Sequence, residues 1–162
     1  MSPYDRHLQA AIGYLELGLP LEANDEIENI VPEMKTLSEV LVVRAAIFQA
    51  LGKWDLMQTV ARQLCHLRPD DPQGFVFLAF ATRRLVGLQK ALAVLTTVAS
   101  RFPNCAAILY NIACYAAQLG HLDSARARLA EAIELDAAFR KMALADPDLV
   151  PLHRELLDRR RC

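Results

Sequence analysis

The amino-acid sequence predicts an all-α chain, a solenoid of four helix pairs closed by a C-terminal capping segment. Three observations carry that expectation. Among 162 residues there are only six Gly and eight Pro, which leaves little chain for loops and favours long helices with short connections. Small residues recur at one interval: Ala11, Ala45, Ala79 and Ala113 are 34 residues apart, and Ala23, Met57, Ala91 and Ala125 each follow twelve residues later. Apolar residues fall at helical spacing, as in Leu41, Ala45, Phe48 and Leu51, or Leu88, Ala91, Leu92 and Leu95.

Each copy reads as a helix, a tight turn, a second helix and another turn, with boundaries at 4–37, 38–71, 72–105 and 106–139. Small residues are needed where the paired helices cross, because a bulky side chain there would push the axes beyond about 8–10 Å. Gly18, Gly52 and Gly120 follow the alanines by seven residues, and Gly87 stands one place late in the third copy. Such glycines end a helix by accepting a left-handed backbone. Pro20 suits the opening turn of a second helix, Pro32 stops that helix early, and Pro69 and Pro103 close the middle copies. Met57, larger than its counterparts, predicts a looser crossing in the second copy. In residues 140–162, Asp146 and Pro147 read as an N-cap followed by Pro at the first helical position. Pro151 forbids one unbroken helix there, so a last helix with the stripe Leu152, Leu156 and Leu157 opens near it. The segment is assigned the cap that a solenoid end requires, with Arg159, Arg160, Arg161 and Cys162 frayed in solvent.

The 34-residue unit resembles the tetratricopeptide repeat, whose signature has small residues at the eighth and twentieth places and Pro near the thirty-second. NIACYAAQLGHLDSARARLAEAIELD is the best match, and the resemblance spans residues 4–139 without an insertion. It implies a right-handed alpha-alpha superhelix forming a single domain over 1–162. Several places depart from the signature. Lys35 stands where Pro is usual in the first copy, Ala137 in the fourth predicts a second helix that runs on, and Ile30, Leu64 and Val98 occupy a place that is small only at Ala132. Arg44, where Leu is usual, reads as a snorkelling side chain with an acidic neighbour.

In that family the first helix of each pair lines a concave groove. The resemblance therefore nominates Ile12 in the first copy, Val43 and Ala46 in the second, Phe77, Phe80, Arg83 and Arg84 in the third, and Tyr110, Asn111 and Cys114 in the fourth. A groove of this kind can hold a terminal carboxylate through Lys, Asn and Arg. Here the corresponding places carry Leu8, Ile12, Val43, Gln73 and Phe77, or one copy later Val42, Ala46, Phe77, Ala107 and Asn111, which argues against that use. What remains is an apolar surface centred on Phe77, Phe80 and Tyr110 and edged by Arg83 and Arg84, suited to an apolar or amphipathic segment of another protein with an acidic group at the arginines. Val42 and Val76 are expected to pack between neighbouring first helices instead. A self-associating solenoid or homodimer and a secretion-type chaperone are the alternatives.

Net charge is −1, which gives no whole-molecule field for nucleic acid or an acidic membrane, yet residues 1–37 sum to −5 and residues 72–105 to +4. Four cysteines lack a pairing pattern and the N-terminal stretch does not read as a signal peptide, so a reduced cytoplasmic chain is expected. An enzyme is not expected, nor a metal or other cofactor. His7, His66, His121 and His153 fall at no metal-ligand spacing; Pro69 separates His66 from Asp70; and the glycines stand singly. His121, Asp123 and Ser124 read as helix-capping residues rather than a catalytic set, and Cys114 as an inert buried thiol.

Overall fold

The structure, a computed structural model, describes residues 3–158. All regular elements among them are helical. The chain divides into two compact units, Met1–Leu85 and Val86–Cys162, with the boundary inside the third copy.

The first unit contains α1 (Pro3–Glu16), α2 (Pro20–Glu28), α3 (Ser38–Ala50), α4 (Trp54–Leu67) and α5 (Pro72–Leu85), with a short 3₁₀ turn over Pro32–Met34. The second contains α6 (Leu88–Val98), α7 (Ala106–Gln118), α8 (Leu122–Leu135), α9 (Ala138–Ala145) and α10 (His153–Asp158), with 3₁₀ turns over Ala99–Arg101 and Pro147–Leu152. The second helices open at Pro20, Trp54, Leu88 and Leu122, a constant interval of 34 residues. The alanines that marked the interval are all fully buried, as are Ala23, Ala91 and Ala125; so is Met57, which fills its place in the second copy.

Three inter-helix turns close alike. In the second copy Gly52 adopts φ 67°, its N–H donates to Gln49 O, and the next N–H, that of Lys53, donates to Phe48 O over 2.8 Å. Gly18 and Gly120 repeat this geometry, whereas Gly87, one place late, has φ 131° and caps α6 instead. The early stop at Pro32 holds, since α2 ends at Glu28. Lys35, in place of the usual Pro, explains how that end is satisfied: its ammonium donates to the Glu28 carbonyl at 3.0 Å and to the Glu28 carboxylate at 2.6 Å, holding that carboxyl below its ordinary range. Arg44 lies over the Phe48 ring and adds to the lowering of Glu28, the acidic neighbour expected for it. Val42 is half-buried against the first unit's core.

The expectation that the second helix of the fourth copy runs on past Ala137 is corrected. Helix α8 ends at Leu135, Asp136 is extended, and its carboxylate accepts the Ala138 N–H at 2.9 Å, starting α9 as a separate helix. The capping role expected of His121 is corrected as well: no side-chain bond caps α8, and Asp123 instead pairs with Arg126. Asp146 caps the 3₁₀ turn as expected, accepting the Asp148 N–H at 2.9 Å, with Pro147 just inside and α10 opening after Pro151. Arg159 to Cys162 lie outside the described residues.

Helix α5 passes close to α4 at Gly74, where an added Cβ would stand 3.0 Å from the Cys65 backbone nitrogen and 3.1 Å from Leu64 Cβ. The obstructing atoms belong mainly to the α4 backbone and cannot swing aside. Gly74→Val is expected to lower unfolding free energy by about 2 kcal/mol, measured by urea denaturation; an unchanged midpoint would show that the two helices separate freely.

Candidate functional site

In the first unit, Phe77, Phe80 and Arg84 lie on α5 at spacings of three and four residues and so share one stripe of the helix. Trp54 opens α4 directly after the Gly52 turn, and its indole lies against that turn. The Trp54 and Phe80 rings are 5.8 Å apart and tilted by 51°. The Arg84 guanidinium carbon stands 5.0 Å from the Trp54 centroid and 5.8 Å from that of Phe80, within cation–π range of both. Arg84 is exposed, lies in the last turn of α5 where a cation complements the helix dipole, and has no carboxylate partner among the described residues.

The other nominated residues of this unit have different surroundings. Ile12 and Phe77 are half-buried against the unit's core, and Ala46 is half-buried. Val43 was nominated for the groove but is buried, with 7 % exposure, because it turns into the core. Arg83 is half-buried and has an interaction of its own. Val76 is half-buried as well. Trp54 was absent from the nominated set because the family groove is read from first helices and Trp54 begins a second one. Its signal was compositional: it is the single Trp of the chain.

In the second unit the nominated face of α7 is covered by the chain itself. Tyr110 is 6 % exposed, its hydroxyl donates to Asp146 Oδ2 at 2.8 Å, and its ring lies 5.0 Å from that of Phe139. Cys114 is buried and contacts the same carboxylate oxygen at 3.6 Å, while Gln118 donates to Asp148. Asn111 is half-buried and donates to Ala107 O of its own helix. The expectation that Tyr110 and Cys114 line an open groove is therefore corrected: residues 146–152 occupy that face, Leu149 and Leu152 among them being buried. Burial pushes both the Tyr110 hydroxyl and the Cys114 thiol above their ordinary ranges, helped next by the hydrogen bond to Asp146 for Tyr110 and by the Asp146 charge for Cys114. Farther along, Glu155 of α10 accepts two bonds from Arg126 of α8, at 2.5 and 2.7 Å.

Cys114 was expected to be an inert thiol, and its surroundings are those of one. At pH 8, iodoacetamide is expected to modify half-buried Cys65 and Cys105 well before Cys114, followed by peptide mass spectrometry; equal rates would show that the cover opens readily. Tyr110→Phe removes one donor from Asp146 and is expected to cost about 1–2 kcal/mol in denaturant unfolding. A neutral result would show that water replaces the hydroxyl without loss.

Among the described residues no group of three or more His, Cys, Asp or Glu could hold a metal ion, and no helix is long and apolar enough to cross a membrane.

No family model and no curated protein matches the chain. Solved structures do. A thermophilic TPR protein of Thermus thermophilus, TTC0263, superposes with a TM-score of 0.78 at 22 % identity, over 94 % of this chain and 82 % of that one. MamA from Desulfovibrio magneticus RS-1 superposes with a TM-score of 0.69 at 18 % identity, over 98 % of this chain and 93 % of that one. The chain thus has an all-α fold of tetratricopeptide type.

Proposed function

We propose that the chain is a protein-interaction scaffold that binds an apolar or amphipathic segment of another protein on the face of its first unit that carries Phe80 and Arg84. The observation that carries this reading is the exposed Arg84 guanidinium seated on the rings of Trp54 and Phe80. Aromatic and Arg side chains are the usual energetic anchors of protein interfaces, and the three here come from two helices packed against each other. The fold supports the reading, since stacked helix pairs present extended surfaces for protein partners. In the fourth copy Tyr110 and Cys114 are engaged by the chain's own Asp146.

Replacing Phe80 and Arg84 together with Ala is expected to abolish capture of partner proteins from a host-cell extract while leaving far-UV circular dichroism unchanged. Capture of the same proteins by the double variant would overturn the assignment of this face.

Self-association is a second reading, favoured by the exposed apolar residues Leu17, Leu21 and Val31 of the first copy. It predicts a mass that rises with protein concentration in sedimentation equilibrium. A constant monomer mass would remove it.

A further inference from the structure

Resting on the interaction surface just described, we infer that its partner presents an Asp or Glu side chain next to an apolar one, with the carboxylate bound by Arg84 and the apolar group seated against Trp54 and Phe80. The Arg84 guanidinium carbon lies within cation–π range of both rings, and the side chain is exposed. No carboxylate among the described residues pairs with it, and the N–H fork of a guanidinium matches a carboxylate through two parallel hydrogen bonds. Contact with two rings also restricts a long side chain that would otherwise lose more freedom on binding.

Charge complementarity selects the occupant. Helix α5 carries Arg83 and Arg84 and no acid. Asp55, next in sequence to Trp54, forms no ion pair with Arg84. The guanidinium is thus a cation whose charge no carboxylate among the described residues satisfies, on a floor formed by two half-buried rings. A wholly apolar partner would cover this charge without answering it, at a desolvation cost. A carboxylate beside an apolar group answers both halves of the surface. The carboxylate is a side chain within a segment, since the residues that would hold a chain terminus are absent from the corresponding places.

A random linear peptide library fused to the N-terminus of a phage coat protein, so that no peptide has a free C-terminus, tests this on the immobilised full chain. The wild type is expected to enrich Asp or Glu adjacent to Phe, Leu or Trp. Arg84→Met, which keeps the apolar stem and loses the charge and donors, is expected to lose that acidic preference. An enriched peptide, synthesised with an amidated C-terminus and titrated against the fluorescence of Trp54, the single Trp, is expected to bind Arg84→Met about tenfold more weakly. Its Glu→Gln form is expected to bind both proteins alike. Matching thermal melts for the two proteins exclude misfolding as the cause. Enriched peptides without an acid, or an acidic preference that persists in Arg84→Met, would overturn the inference and leave the interaction surface standing. Failure of the wild type to enrich any peptide would overturn both.

Discussion

The constraint on which the rest depends is close passage of paired helices over small residues. Ala11 and Ala23, Ala45, Ala113 and Ala125 are each fully buried where a first helix meets its second, and a larger side chain at such a place would drive the axes apart. Because the helices lie close, connections of a few residues suffice, and a left-handed glycine followed by a reciprocal backbone bond can close them. The turns in turn fix where each second helix begins. Trp54 occupies its place beside Phe80 and Arg84 because α4 starts directly after such a turn.

The two units apply this arrangement to different ends. In the first, the α5 stripe leaves a cation and two rings at the surface, where their mutual attraction organises them without burying the charge. In the second, the corresponding helix is closed off. Asp146 serves as an N-cap through one carboxylate oxygen and as an acceptor for Tyr110 and Cys114 through the other. A single residue thereby starts a helical turn and fastens it to α7.

Features that depend on local chemistry were legible in the sequence. The alanine interval, the turn glycines, the stop at Pro32 and the cap at Asp146 each express a backbone requirement that residue type reveals within a few positions. Features that depend on distant parts of the chain were not. Tyr110 and Asp146 are 36 residues apart, and nothing in the periodicity of α7 tells that a later segment will cover it. Trp54 and Arg84 meet only through the packing of α4 against α5, so a reading confined to first helices passed over the indole that seats the guanidinium. Ala137 misled for a related reason: the family place it occupies sits beside Asp136, whose carboxylate turns the chain into a new helix.

Cover over α7 bears on how far the four copies are equivalent. Nine residues between Ile108 and Ala117 are buried, so this first helix is apolar nearly all round, whereas α1, α3 and α5 each keep a wet side. The shared spacing gives the appearance of exchangeable parts, but α7 is suited only to a position with a lid. Transplanted to the place of α3, it would bring an aromatic and a thiol into water with nothing to meet them. The copies are therefore specialised components, and recombination among them would meet a barrier that their common length conceals.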